Sequence, residues 1–211
     1  MPIAVNEQLD RPEAPSGAGL VLTHGASGSS RSPFLIALAA AFSARGVTVL
    51  RYDLPYRQAS ATAPPRPEGG ARDREGLRGA VKTMRTLVPG RVFMGGQSYG
   101  GRQASMLAAS DPGLVNALLL LSYPLHPPRK GTELRTAHLP ELRTPALFAH
   151  GTRDPFGSLD EIEAARGLIQ ARTALLPIEG AAHDLFRAPR RAGPDVVARI
   201  VDGFLAFAAE G

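Results

Sequence analysis

Apolar residues along this chain are grouped in short, mostly continuous runs, without strict alternation of apolar and polar positions. Runs of this kind are typical of strands that are covered on both faces, as in a parallel sheet. We therefore predict six buried strands, at residues 19–25, 47–53, 91–97, 117–124, 145–151 and 173–179.

Helical segments separate these runs, and several of them have recognisable ends. One begins at Ser32-Pro33 and continues to about residue 45, because proline is favoured in the first turn of a helix. Ser158 and Glu161 have the spacing of a capping box, which predicts a helix that continues to about residue 171. Further helices are predicted at 72–88, at 100–110 and from Pro194 onwards. The alternation predicts an α/β fold with a mostly parallel sheet of about six to seven strands, flanked by helices on both faces.

Two long connections interrupt the alternation, and both are rich in proline. Residues 54–71 also contain several glycines, so we expect no helix or strand there. We expect this segment to form a mobile flap at the carboxyl edge of the sheet. Residues 125–143 are too few, and contain too many prolines, to form a multi-helix lid. We therefore predict no cap domain and a shallow, open cleft.

Length and composition indicate a single domain over residues 1–211. The chain has 211 residues, of which 44% are hydrophobic, and this suffices for a full core. Residues 1–17 are expected to be poorly ordered or to form an edge segment. No apolar stretch approaches the ~18 residues of a membrane span, and the first residues lack the pattern of a secretory signal. We expect a cytoplasmic protein with no membrane partner.

The net charge of +5 does not by itself indicate a nucleic-acid partner. Arg74 and Arg78 have helical spacing, but Asp73 and Glu75 lie among them and no aromatic platform accompanies them. A solvated helix face explains this pattern, so no nucleic-acid partner is expected. The chain has no cysteine, and no group of His, Asp and Glu has the spacing of metal ligands. We expect no disulfide, no metal and no cofactor.

The strongest chemical motif is a serine flanked by glycines on both sides, in the segment VFMGGQSYGGRQAS, residues 92–105. Gly96, Ser98 and Gly100 form G-x-S-x-G between a predicted strand and a predicted helix, which is the pattern of a nucleophile elbow. The serine of an elbow takes strained dihedrals, and the residues two before and two after it lie too close for side chains. A Walker loop and a Rossmann fingerprint are excluded, because the lysine and the glycine spacing that they need are absent. A glycine-rich turn with an incidental serine is the alternative interpretation.

A nucleophilic serine needs a base and an acid that orients the base, and in this architecture the acid precedes the histidine. His183 follows the sixth predicted strand on a short loop, which is where the base belongs. Asp154, in GTRDPFG after the fifth strand, is the matching acid. His150, inside that strand, is better suited to packing or to anchoring a loop. We predict that Ser98, Asp154 and His183 form a catalytic triad.

Backbone N–H groups near the serine are the predicted oxyanion donors. The N–H of Tyr99 begins the helix after the nucleophile, and the N–H of Ala26 lies in the loop THGASGSS after the first strand. Tyr52 and Tyr123 lie at the ends of other strands. Since tyrosine suits a half-wet pocket wall, we predict that these two bind substrate and, together with Tyr99, rim the cleft.

Three arginines could lie near the edge of the sheet formed by the carboxyl ends of the strands, where they would influence which substrate charge is preferred. Arg57 and Arg129 lie in the two long connections, and Arg102 lies on the helix that follows Ser98. They would suit an anionic substrate, but so many arginines occur along the chain that position alone does not single them out. Arg102 is better suited to a structural role.

From about Gly19 onwards, these motifs together resemble the α/β-hydrolase superfamily, and most of all its small, lidless, dienelactone-hydrolase-like members. The segments GGQSYGGR, LSYPLHPP and GTRDPFG resemble a branch that includes testis-expressed, KANL-like hydrolase proteins. This resemblance implies a trimmed α/β-hydrolase fold, the triad above and no cofactor. Dienelactone hydrolases carry a cysteine where this chain has Ser98, so the resemblance implies a carboxylic ester hydrolase of a broader kind.

The expected function is hydrolysis of small carboxylic esters or thioesters through a Ser-His-Asp acyl-enzyme mechanism, with a small-molecule ester as the partner. A shallow, open cleft would suit acyl groups of about two to six carbons. Part of the KANL-like branch is associated with scaffolding in chromatin complexes. A non-catalytic binding or scaffold protein is therefore the alternative. The acyl and alcohol parts of the substrate, the acyl acceptor and the oligomeric state stay open at this point.

Overall fold

A seven-stranded sheet forms the centre of the computed structural model, which describes residues 8–127, 132–187 and 196–210. In chain order the strands are β1 (Leu9–Asp10), β2 (Gly19–Thr23), β3 (Thr48–Tyr52), β4 (Val92–Gln97), β5 (Ala117–Leu121), β6 (Ala146–Gly151) and β7 (Thr173–Ile178). Their order across the sheet is β1-β3-β2-β4-β5-β6-β7. All neighbours are parallel except β1, which is antiparallel to β3 at the edge. The predicted mostly parallel sheet is confirmed.

Six helices accompany the sheet within these residues: α1 (Pro33–Ser43), α2 (Pro55–Ala59), α3 (Gly70–Leu87), α4 (Tyr99–Ser110), α5 (Leu159–Arg166) and α6 (Val196–Ala209). The capping box of Ser158 and Glu161 is present, but α5 ends at Arg166, earlier than the sequence indicated. The predicted start of the last helix, Pro194, lies outside the described residues. Residues 54–71 correct another expectation, because they contain α2 and a 3-10 turn at Pro67–Gly69.

The core consists of two apolar layers, one on each face of the sheet. On one face α1 and α6 pack together, and the ring of Phe204 lies edge-on to Phe42 and Phe93, with centroids 5.9 and 5.3 Å apart. On the other face, α3, α4 and α5 cover the sheet with residues such as Leu77 and Ile162. Covering both faces explains why the apolar runs are continuous.

The strand order changes direction between β2 and β4. The chain proceeds from β2 to β3 towards one edge of the sheet, and from β4 through β7 towards the other. At such a switch point, the loops at the carboxyl ends of the two central strands diverge to opposite faces and leave a crevice. The segments after β2 and β4 are those that carry Ala26 and Ser98. Among the described residues, no helix is both long and apolar enough to cross a membrane.

Candidate active site

Ser98 connects β4 to α4 in a conformation that side chains seldom adopt. Its φ of 49° and ψ of −117° lie outside the helical and strand regions, while its N–H donates to the Leu121 carbonyl at 2.8 Å. A positive φ at a residue with a Cβ costs about 1–3 kcal/mol and persists only when the surroundings hold it. Here the strand before and the helix after the serine hold it at the carboxyl edge of the sheet.

The glycines around Ser98 are required by close backbone approaches. A Cβ on Gly96 would lie 2.7 Å from the carbonyl carbon of Gly100, and a Cβ on Gly100 would lie 2.5 Å from the carbonyl oxygen of His24. Both distances are shorter than any real Cβ contact. The first glycine lets α4 start directly against β4, and the second lets α4 approach the loop after β2.

The structure brings Ser98, His183 and Asp154 into one hydrogen-bonded chain. The Ser98 Oγ lies 2.8 Å from Nε2 of His183. The other ring nitrogen, Nδ1, lies 2.8 and 3.0 Å from the two carboxylate oxygens of Asp154. A carboxylate only accepts, so Nδ1 carries the proton and Nε2 is the acceptor for the serine hydroxyl.

Asp154 is held in a closed loop after β6. Its side chain is fully buried, and its Oδ1 accepts a hydrogen bond from the N–H of Phe156 at 2.9 Å. His150, also fully buried, donates from Nε2 to the Gly157 carbonyl at 2.8 Å and thereby ties the strand to the end of this loop. Burial lowers the pKa of His150. This imidazole has the loop-anchoring role that the sequence indicated.

The imidazole of His183 is fixed from two directions. The ring of Phe156 packs on it with centroids 4.1 Å apart and planes 32° apart. The loop that carries His183 approaches β6 so closely that a Cβ on Gly151 would lie 2.4 Å from the Ala181 carbonyl oxygen. Sequence reasoning did not identify Phe156, although its place two residues after the acid was a usable signal.

The peptide between Gly25 and Ala26 has a fixed orientation. Its carbonyl oxygen accepts from Nδ1 of His24 at 2.8 Å, from the Tyr56 hydroxyl at 3.1 Å and from the N–H of Gly28 at 3.1 Å. The Leu54 N–H donates to Nε2 of His24 at 3.1 Å, which leaves the proton of this neutral ring on Nδ1. In a trans peptide the N–H points opposite to the carbonyl. The N–H of Ala26 therefore points away from α2.

Arg57 holds the same loop from behind. It is 7% exposed, and it donates to the carbonyls of Gly28 at 2.8 Å and Ala26 at 2.9 Å, as well as to those of Ser60 and Ala61. The sequence suggested that Arg57 would suit an anionic substrate. The structure corrects this, because its guanidinium is occupied by backbone carbonyls.

Tyr99 and Tyr56 are joined to a buried carboxylate beneath the cleft. Asp73, 1% exposed, accepts from the Tyr99 hydroxyl at 2.7 Å and from the Tyr56 N–H at 3.1 Å. Burial raises the pKa of Tyr56 to about 12, so its hydroxyl stays a donor at neutral pH. The Tyr99 N–H, at the first position of α4, has no partner within the helix.

A cleft of about 1350 Å³ opens over this constellation and is lined by Ser98, Tyr99, Ala26 and His183. The segments 65–68 and 70–71 contribute to its wall, so residues 54–71 border the site, in part through the 3-10 turn at Pro67–Gly69.

Tyr52 and Tyr123 do not line this cleft, in contrast to Tyr99. Tyr52 is 3% exposed beneath α3, and Tyr123 is 1% exposed beside Phe148, with its hydroxyl on the Arg135 carbonyl at 2.9 Å. Both side chains point into the core on the α3 and α4 face. The expectation that they bind substrate is corrected, because a strand end does not determine which way its side chain points.

Comparisons with known proteins show the family of this chain. A family model described as an alpha/beta hydrolase domain matches residues 16–207. Three similar solved structures each match 96% of this chain. An alpha/beta serine hydrolase without lid from Xanthomonas campestris is 16% identical, with a TM-score of 0.70 over 87% of that chain. A dienelactone hydrolase from Anabaena variabilis is 24% identical (TM-score 0.66, 88% covered), and a Thermus thermophilus protein is 23% identical (TM-score 0.70, 91% covered).

Proposed function

Because the chain belongs to the alpha/beta hydrolase family, we propose that it is a serine hydrolase of carboxylic esters or thioesters, with Ser98 as the nucleophile. The observation that carries the proposal is the hydrogen-bonded chain from Ser98 through His183 to Asp154, with 2.8 Å at each link. A serine hydroxyl becomes nucleophilic when an adjacent base takes its proton.

In the first half of the reaction, Ser98 Oγ attacks the carbonyl carbon while its proton passes to Nε2 of His183. Asp154 keeps the ring in the tautomer that can accept this proton and stabilises the imidazolium that forms. The tetrahedral intermediate then expels the alkoxide or thiolate, which takes the proton from Nε2. The product is an acyl-enzyme on Ser98.

In the second half, water attacks the acyl carbonyl and gives its proton to His183. Collapse of the intermediate releases the carboxylic acid and returns the proton to Ser98. In both halves the oxyanion is stabilised by the N–H groups of Tyr99 and Ala26. The fixed Gly25–Ala26 peptide and the start of α4 support this assignment, since donors held before the reaction need no reorganisation.

Labelling with a fluorophosphonate tests the nucleophile directly. We expect one label per chain on Ser98, and none on Ser98→Ala. Hydrolysis of 4-nitrophenyl butanoate should fall by at least about 10⁴-fold in Ser98→Ala. Ser110→Ala, at the far end of α4, is the matched control and should react like the wild type. Folded protein that takes no label, or equal rates for wild type and Ser98→Ala, would favour the non-catalytic alternative.

A further inference from the structure

The two helix layers give the cleft two chemically different sides. Phe34, at the start of α1, and Phe186 contribute aromatic surface on the layer of α1 and α6, with ring centroids 5.7 Å apart. Arg74 on α3, Arg102 on α4 and Arg135, in the connection after β5, line the other side. Ser98 lies at the edge of the sheet that separates the two layers.

Arg74 and Arg135 have neutral hydrogen-bond partners, and the Nε of Arg102 has none. Arg74 donates to the Gln103 side-chain oxygen at 2.9 Å, and Arg135 donates to the Pro124 carbonyl at 3.2 Å. The Nε of Arg102 is buried and has no hydrogen-bond partner. Within residues 8–127, 132–187 and 196–210, none of the three forms an ion pair with a carboxylate.

These positive charges lie close enough to influence the same neighbours. Burial and then the charges of Arg102 and Arg74 lower the pKa of His138 to about 4, so this imidazole is neutral at pH 7. Burial and then Arg102 also lower the pKa of Arg135, and Tyr123 and the exposed Glu133 offset this only in part. A group of unpaired guanidinium charges beside a reactive serine is unfavourable until an anion joins it.

The remaining acids of the cleft do not neutralise this side. Glu68 is exposed on the 3-10 turn before α3. Asp184 lies beside His183, and its Oδ1 accepts from the N–H of Phe186 at 3.1 Å, which places it with the aromatic side.

We propose that Arg74, Arg102 and Arg135 form a carboxylate subsite. The substrate is then an ester that carries a free carboxylate on one side of the scissile bond and an apolar group on the other. This inference rests on the proposed function of Ser98. Guanidinium groups suit a carboxylate because their planar donors match its two oxygens. Phe34 and Phe186 supply the surface for the apolar part.

Two pairs of esters, each a free carboxylate and its methyl ester, test the subsite. In the first, 4-nitrophenyl hydrogen glutarate is compared with 4-nitrophenyl methyl glutarate, which places the carboxylate in the acyl part. In the second, 4-butanoyloxybenzoate is compared with its methyl ester, which places it in the alcohol part. After subtraction of the uncatalysed rate, we expect kcat/KM to be at least about tenfold higher for the anion in one pair.

For each variant we compare kcat/KM for the anionic ester with kcat/KM for its neutral methyl ester. The ratio of the two shows which arginines are responsible for the preference. Arg102→Gln and Arg135→Gln should bring this ratio close to one, whereas Arg102→Lys should retain part of it. Arg72→Gln is the matched control, because it removes the same charge from an exposed position on α3 outside the cleft. An equal fall in Arg72→Gln would assign the preference to the net charge of the protein and overturn the subsite.

The subsite and the proposed function fail in different ways. A protein that hydrolyses the neutral esters with no preference for either anion overturns the subsite alone. A protein that takes no fluorophosphonate overturns the proposed function, and calorimetry then tests the subsite without hydrolysis. We expect at least one of the two anions, 4-nitrophenyl hydrogen glutarate or 4-butanoyloxybenzoate, to bind Ser98→Ala at least about tenfold more tightly than the Ser98→Ala, Arg102→Gln double variant. Equal affinity of the two variants for each anion, or no binding of either anion, would overturn the subsite.

Discussion

The substitution Gly100→Ala adds one methyl group at the closest contact between α4 and the loop that carries the Ala26 N–H. The new Cβ would lie 2.5 Å from the His24 carbonyl oxygen and 2.7 Å from Cγ2 of Thr23. Ordinary van der Waals contact begins at 3.4 Å, so the carbonyl would have to move by about 0.9 Å. Both neighbours are fully buried, and one of them is backbone, so neither can rotate away.

The expected loss of stability follows from two opposing effects. Forcing a methyl group into a well-packed region costs about 1–3 kcal/mol, and alanine in a helix returns up to about 1 kcal/mol relative to glycine. We expect Gly100→Ala to lower the free energy of unfolding by about 1–2 kcal/mol. The effect on activity should be larger, because displacing a catalytic group by about 1 Å can cost about a hundredfold in rate.

Gly79→Ala is the matched control for this measurement. Gly79 is an exposed residue inside α3, and a Cβ there would meet no atom within 4 Å. The same chemical change should therefore stabilise the protein by about 0.5–1 kcal/mol and leave ester hydrolysis unchanged.

Urea unfolding and 4-nitrophenyl butanoate hydrolysis measure the two consequences. The two variants should differ in the sign of the stability change and by about a hundredfold in kcat. If Gly100→Ala were as stable and as active as Gly79→Ala, the contact between α4 and the His24 carbonyl would not constrain the site. A steric requirement for the second glycine of G-x-S-x-G would then be refuted.

Three further predictions concern neighbours of the site. Arg57→Met should lower the free energy of unfolding by about 2–4 kcal/mol in urea titration, because the carbonyls of Gly28 and Ala26 lose a charged donor that is itself buried. A change below about 0.5 kcal/mol would contradict this. His138→Gln should weaken the pH dependence of stability. His138 has a pKa of 6.5 in the unfolded chain and of about 4 in the folded protein, so between these values the unfolded chain binds a proton that the folded protein does not. The wild type should therefore lose stability as the pH falls from 6.5 to 4, and the variant should lose less. The free energy of unfolding is measured in urea at pH 7 and pH 5. If it changed by the same amount in the wild type and in His138→Gln, His138 would not be the cause. Phe156→Ala should reduce kcat by about tenfold with little change in KM, because His183 loses the ring that packs 4.1 Å away. Phe156→Tyr keeps a ring and should remain active. An unchanged kcat in Phe156→Ala would show that this packing is not needed.

Several features of this protein are determined locally, and for that reason the sequence was sufficient to predict them. Continuous apolar runs identified six strands, because a strand covered on both faces has no polar side to show. The spacing of Gly96, Ser98 and Gly100 predicted the elbow, since the steric demand acts within a few residues of one turn. Chain order selected Asp154 and His183, and the structure brings both to Ser98.

Other features depend on contacts between distant segments. A strand-end tyrosine lies on one face or the other according to the pleat, and with apolar residues on both faces the sequence of β3 or β5 does not reveal which. Tyr52 and Tyr123 therefore lie in the core. The short helix α2 is similarly unexpected in a segment rich in proline, because its partners are the carbonyls and the His24 ring of a loop about 30 residues earlier.

The contrast between two arginines shows why only the tertiary structure decided their roles. Arg57 and Arg102 have the same charge, and both follow strands near the same edge. Folding places Arg57 behind the loop after β2, where four carbonyls take up its donors, and leaves Arg102 in the cleft with a buried Nε that has no partner. A guanidinium can hold backbone carbonyls in place or face a ligand cleft. Which of these it does depends on the acceptors that the fold brings within about 3 Å of it.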